Sequence, residues 1–420
     1  MIENSNESTY GDWLQDEELV KEYSGNLSGP ISINDVLQNL QSRRENVLNG
    51  GTNCIPLPFE RFRQDIPGVE QSQYIVISAN QKTGKSMFAS FVYLYSVLDY
   101  AFENPSKCSA HIIYFSLEES IEKVIERYMS HLLFKLDGIR ITPADLRSTS
   151  SDYPVDQKIL DKLNSEKYQE RLRFFKKCVQ FETENTNPTG ILRVCESYAK
   201  SVGNYVSHKH KSNGLSGREV EVFDSYTPYD KNHYKIVIID HIGLVDKEQG
   251  FKTKDAVDKM SEYCVKYLRN RYGFTCVVIQ QQASESEGLE AIKSKRMVPT
   301  AATLADSRYT ARDADLVIGL FDPSKFGQAQ WLGYKIQDPN GVGLRNYGRF
   351  LYVIANRNGE MGGICPLFFD GAVCNYEELP KISDFAKLQD YYAKAKNLHE
   401  KKRPVLSLLL FIKKLFTNGR

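Results

Sequence analysis

Lys85 and Ser86 carry the clearest chemistry in the chain. They close the run Y-I-V-I-S-A-N-Q-K-T-G-K-S, residues 74–86, where a β-prone apolar stretch stops at a turn that opens a long apolar helix. Strand, loop and helix in that order make a phosphate cradle: loop N–H groups point inward, a lysine reaches the β- and γ-phosphates, and a hydroxyl ligates Mg²⁺. Gly84, Lys85 and Ser86 supply turn, cation and hydroxyl, and Ala79, Asn80, Gln81, Lys82 and Thr83 complete the loop. The pattern G-x-x-x-x-G-K-[ST] is met everywhere except at its first position, where Ala79 replaces glycine. Alanine tolerates most turn geometries but not a positive φ.

A second signature follows far along the chain. K-I-V-I-I-D, from Lys235, reads as a buried parallel strand ending in Asp240, and an aspartate there holds Mg²⁺ through water or the loop serine. Ser86 and Asp240 are therefore the expected metal residues. The strand at 111–115 ends in S-L-E-E-S, which brings Glu118 and Glu119 to the carboxyl edge where α/β sheets bind ligands. A carboxylate there orients the water that attacks a γ-phosphate, or it is a first-turn helix residue favoured by the dipole. For Glu119 the second reading is preferred. The strand at 275–279 delivers Gln280, Gln281 and Gln282 to the same edge, where glutamine can hydrogen-bond a γ-phosphate and sense its loss.

These residues must be positioned by an α/β domain. The 420 residues suffice for a sizeable core, and a net charge of +1 leaves any basic surface local. Eight scattered cysteines without C-x-x-C pairs read as reduced core thiols of a cytoplasmic protein, and no signal peptide or membrane-spanning run is recognised. Residues 1–30 read as a loose acidic tail and 31–51 as an amphipathic linker helix. Ser32 and Asp35 would form the helix's capping box and Gly50-Gly51 its stop; its apolar face packs on its own domain or docks on a neighbouring subunit. Residues 52–378 form the nucleotide domain, with an apolar helix at 87–102, a strand at 178–181 and a polar loop or hairpin inserted at 204–234. His208 and His210 in that insertion read as solvated loop residues, since no partner ligands sit at metal spacing. Lys247, Lys252 and Lys254 lie in one loop and Lys293, Lys295 and Arg296 in another. Cations on such loops suit single-strand binding, or simply make a solvated charged loop. Residues 379–420 are a helical tail whose segment 404–416 shows a broad apolar face, a candidate site for its own domain, a protein partner or a membrane surface.

Taken together these motifs resemble the RecA-like ATPase domain of DnaB-type replicative helicases, the superfamily 4 ring motors, over roughly residues 46–369. S-L-E-E-S with I-E-K-V-I-E-R-Y-M is similar to the family's Ser-Leu-Glu-Met segment, which implies that Glu118 is the catalytic glutamate. The resemblance makes Asp240 the Walker B aspartate and Gln281 the sensor glutamine. K-R-M-V-P…L-A-D-S-R-Y-T-A-R-D-A-D-L-V, residues 295–317, is similar to the stretch after the family's DNA-contacting loops. I-A-N-R-N-G-E-M-G-G, from Ile354, is similar to the Lys-x-Arg-Asn-Gly-Pro-x-Gly finger, with Ala355 in place of its lysine and Arg357 as the arginine that reaches a neighbour's γ-phosphate. No counterpart of the family's helical N-terminal domain is recognised.

The resemblance implies a mainly parallel RecA-like P-loop fold, ATP and Mg²⁺ as ligands, a hexameric ring with ATP between subunits, and ATP-driven translocation on single-stranded DNA that unwinds duplex. The six loop cations would face a central pore. Two other classes stay open: an ATP-binding assembly or loader protein without unwinding, and an interaction protein with a decayed motor.

Overall fold

In the computed structural model of the chain, residues 33–150, 154–211, 219–283, 288, 292–293, 297–337 and 341–401 are described. The acidic tail 1–30, Ser32, Lys295, Arg296 and the segment 404–416 lie outside them.

The chain opens with α1 (Ile33–Leu48), stopped where Gly50 takes a positive φ of 81°. The first strand of the main sheet is β1 (Tyr74–Ala79), followed by the phosphate-loop helix α2 (Lys85–Ala89). What reads in sequence as one helix continues as a π-helical turn, Ser90–Tyr95, into α3 (Ser96–Glu103). Then come β2 (Ser109–Ser116), α4 (Ile121–Asp137), β3 (Val179–Glu182) and α5 (Pro188–Ser201). The insertion is a hairpin of β4 (Gly203–Lys211) and β5 (Glu219–Pro228), across which His208 Nδ1 lies 2.7 Å from the Asp224 carboxylate. After it run β6 (His233–Asp240), α6 (Thr253–Tyr263), β7 (Thr275–Gln281) and β8 (Leu316–Phe321). The last elements are β9 (Gly348–Asn356), β10 (Ile364–Asp370), β11 (Asn375–Glu378) and α7 (Phe385–Lys401).

Nine of these strands form one sheet in the order β11-β10-β9-β8-β1-β7-β6-β2-β3. The six from β8 to β3 are parallel, and β9, β10 and β11 extend it antiparallel at one edge. Continuous apolar runs are what a parallel strand covered on both faces requires. Side-chain alternation shows both faces at work: Ile75, Ile77, Ile236, Ile238, Val277 and Ile279 enter one core, while Val76, Val237, Ile239 and Val278 enter the other. Each buried aliphatic of this kind contributes about 1.5–3 kcal/mol. A third core lies beside the antiparallel edge, where Leu388, Tyr392 and Ala395 of α7 pack with Phe350 and Phe368. All eight cysteines are free, and all but Cys54 are buried. No described helix is long and apolar enough to cross a membrane.

Register brings the parallel strands to a common carboxyl edge. Ala79 pairs with Gln281, and Ser116 with Asp240.

Candidate nucleotide site

The loop between β1 and α2 is shaped by two left-handed residues, Lys82 (φ 56°) and Gly84 (φ 103°). Glycine is needed at 84 twice over, because a Cβ there would also stand 2.9 Å from Tyr376 Oη and 3.1 Å from the Phe369 ring. Ala79 is different. It is the last, buried residue of β1 with ordinary strand geometry, so the missing glycine puts no strain on the loop.

Three side chains hold the loop's carbonyls outward. Lys325 Nζ donates to the Gln81 carbonyl at 2.5 Å, Arg349 Nε to that of Thr83 at 2.8 Å, and Tyr376 Oη to that of Gly84 at 2.9 Å. In a trans peptide the N–H opposes the C=O, so the N–H groups of Lys82, Gly84 and Lys85 face the other way. Arg349 is itself buried and ion-paired with Asp322 at 3.0 Å. Sequence reasoning missed all three braces.

On the facing side, Ser86 Oγ donates to Asp240 Oδ1 at 2.9 Å, and Tyr114 Oη donates to Asp240 Oδ2 at 3.1 Å. Burial pushes the Asp240 carboxyl up to about 6 against these two hydrogen bonds and the Lys85 charge; Glu118 raises it further. Glu118 is exposed, and its charge reaches His241 as well as Asp240. Glu119 is turned away: α4 starts only at Ile121, and the Glu119 carboxylate pairs with Arg127. It is a bend residue with an ion pair, not a first-turn residue.

The three glutamines separate by strand alternation. Gln280 is buried and bonds the Ala305 and Ser307 carbonyls at 2.5 and 2.8 Å, and Gln282 is buried against Ser78 Oγ at 2.9 Å. Gln281 points to the opposite face, with Nε2 3.2 Å from His241 Nε2 and Oε1 3.5 Å from Gln81 Nε2. His241 is a further site residue the sequence reading passed over, although it directly follows Asp240. Burial and the Lys85 charge lower its pKa, so it is neutral at pH 7.

The donors fit a magnesium nucleotide. Ser86 Oγ and Asp240 Oδ1 are hard oxygens of the kind Mg²⁺ takes, beside a carboxylate whose ionisation burial disfavours and a cation restores. Thr83 Oγ1 is buried without a hydrogen-bond partner in the same loop. Arg349, which braces the Thr83 carbonyl, also lines a cavity of about 490 Å³, with Met87, Lys123, Arg127, Arg147 and Phe369 among others.

Arg357 stands apart. It follows β9, whose Asn356 pairs with Leu316, and Leu316 pairs with Ile75 near the start of β1. It therefore lies at the sheet edge opposite its own phosphate loop, four strand residues or roughly 13 Å from the level of Ala79. Of the expected DNA-binding cations, Lys247, Lys252, Lys254 and Lys293 are exposed. Lys254 is also paired with Asp258 at 3.2 Å, one helical turn on.

No protein-family model matches the sequence, and no curated protein matches it. Solved structures do match. One, described as the ATPase domain of its protein, aligns at a TM-score of 0.55 and 13% identity, over 83% of this chain and 99% of that one. A DnaB-like replicative helicase, solved in work on its interactions with primase, aligns at a TM-score of 0.55 and 13% identity, over 87% of this chain and 75% of that one. A KaiC-like protein from Pyrococcus horikoshii aligns at a TM-score of 0.40 and 11% identity, over 79% and 99%. The two likenesses above 0.5 establish that this chain has the RecA-like fold of DnaB-like ATPase domains.

Proposed function

We propose that the chain is an ATP-hydrolysing subunit of a hexameric ring that translocates on single-stranded DNA and separates the strands of duplex. The observation that carries this reading is a division of residues between two edges of one sheet. Lys85, Ser86, Glu118, Asp240 and Gln281 gather at the carboxyl edge, while Arg357 stands at the other, where it can act only on another subunit's nucleotide.

Within this reading Lys85 and the inward N–H groups bind the β- and γ-phosphates, and Ser86 with Asp240 holds Mg²⁺. Mg²⁺, when bound, neutralises charge on the bridging phosphate oxygens. Glu118 orients the attacking water, Gln281 bonds the γ-phosphate and reports its loss, and Arg357 offsets transition-state charge in trans. The cavity between Met87 and Phe369 takes the nucleoside. The apolar face of α1 suits the neighbouring subunit, since Ile33 (80% exposed), Leu37 (57%) and Leu40 (59%) find no cover among the described residues. Lys247, Lys252, Lys254, Lys293, Lys295 and Arg296 bind DNA phosphates around the pore.

Unwinding of a forked duplex separates this reading from that of an assembly ATPase. Strand separation that needs hydrolysable ATP is expected. ATP-dependent assembly on single strands without any strand separation would overturn the helicase reading and leave the ATPase.

A further inference from the structure

The environment of Arg357 points to a second cation. Its Nη2 donates to the backbone carbonyl of Arg312, and its Nη1 lies 3.7 Å from Asp315 Oδ1. That carboxylate is already held at 2.7 Å by Arg269. Arg357 is thus anchored in its own subunit, with its side chain 49% exposed and part of its donor set in use.

Arg312 is better placed to reach outward. It sits in the short helix Tyr309–Asp313, and its side chain is 68% exposed. Its polar contact is a 3.3 Å approach to the adjacent Asp313, whose carboxylate also accepts from Ser261 at 3.1 Å. The guanidinium rests 4.2 Å from the centre of the Tyr309 ring, which Lys254 also approaches at 5.0 Å, and Arg308 is exposed on the same segment. An aromatic support of this kind restrains a long side chain without neutralising it. Residue 355, two before Arg357 and next to last in β9, is alanine and brings no charge.

A transferring phosphoryl group spreads charge over three equatorial oxygens, more than one partly committed guanidinium can address. We propose that Arg312 supplies a second trans cation to the γ-phosphate bound by the neighbouring copy, alongside Arg357. This rests on the reading that Arg357 acts across a subunit boundary.

The test is steady-state ATP hydrolysis by Arg312→Ala, Arg312→Gln, Arg312→Lys and Arg312→Ala/Ala355→Lys, with assembly followed by light scattering and affinity by titration with a fluorescent ATP analogue. Arg312→Ala and Arg312→Gln are expected to lose at least about tenfold in kcat with unchanged nucleotide affinity, within the range that trans arginines contribute. Arg312→Lys and the Ala355→Lys double variant should recover much of it, because a lysine two residues before Arg357 restores a cation close to it in the chain. A rate unchanged in Arg312→Ala overturns the proposal. So does a loss repaired as well by glutamine as by lysine, or one that follows loss of assembly alone, since these mark a structural role. If Arg357→Ala is slow while Arg312→Ala is not, the trans-arginine reading survives and only the second cation falls. If Arg357→Ala hydrolyses at the parental rate, the underlying reading falls first.

Discussion

Asp240→Asn separates what the carboxylate costs the fold from what it does for the metal. Burial holds Asp240 at about 6 against an ordinary 3.8, although Ser86 and Tyr114 both donate to it. That difference corresponds to roughly 3 kcal/mol acting against the ionised form. The folded value is the raised one, so the stability linked to this group is complete below about 3.8 and is lost as pH rises through 6. At pH 8 the ligand-free protein bears the whole penalty. Asparagine removes the charge and keeps one acceptor oxygen; its amide nitrogen then faces one of the two hydroxyls, returning about 1 kcal/mol. The net gain of ~2 kcal/mol should raise the ligand-free melting temperature at pH 8 by about 3 °C, given an unfolding entropy of about 2.1 cal/mol/K per residue over a domain of roughly 330 residues. The gain should shrink at pH 5, where the parent carboxyl is protonated. Added Mg²⁺ and ATP should then raise the parent's midpoint but barely move the variant's. Thermal melts at pH 5, 6.5 and 8, with and without Mg²⁺ and ATP, read all three effects. A variant less stable than its parent at pH 8, by a margin independent of pH, would refute the assignment of Asp240 as a carboxylate whose ionisation burial disfavours.

Arg357→Ala should leave nucleotide affinity unchanged and lower ATP turnover by roughly 10³ or more, as expected for an arginine acting in trans; a parental rate would contradict the role. Arg349→Ala removes the brace on the Thr83 carbonyl and leaves the buried Asp322 carboxylate without its cation, held by Ser324 alone, a loss of about 3 kcal/mol. A melt within a degree of the parent's would show that the brace is dispensable. Neutralising the loop cations should flatten the salt dependence of single-strand binding by about 0.7 in log–log slope for each true contact. Lys254 should contribute least, because Asp258 already pairs with it, and an unchanged slope for the set would remove the DNA assignment. Leu37→Asp with Leu40→Asp should lower the assembled mass in light scattering without shifting the subunit's melt, since both side chains stand in solvent on α1; unchanged assembly would exclude this helix as a docking face.

The parallel half of the sheet was legible because strands buried on both faces are written as continuous apolar runs; β6 and β7 end at polar residues marking the carboxyl edge, and β1 runs directly into the phosphate loop. The insertion was legible as a loop or hairpin, and the structure pairs β4 with β5 as a hairpin. Residue pattern alone did not separate Gln281 from Gln280 and Gln282, and only the resemblance singled it out; in the structure strand alternation, in register with Ala79, turns it to the face opposite the other two. The outward braces, Lys325, Arg349 and Tyr376, come from residues more than 240 positions away from the loop they hold. No local pattern announces such contacts. Glu119 misled because a carboxylate before a helix looks like a first-turn residue, whereas Arg127, two turns on, draws it into an ion pair.

Steady-state ATP hydrolysis by the parental protein and by Lys85→Ala, with Mg²⁺ and with or without single-stranded DNA, tests the central claim most directly. Saturable, Mg²⁺-dependent turnover that single strands accelerate, and that Lys85→Ala abolishes together with nucleotide binding, is the expected result. A parental protein that neither binds nor hydrolyses ATP, or a Lys85→Ala variant as active as its parent, would contradict it.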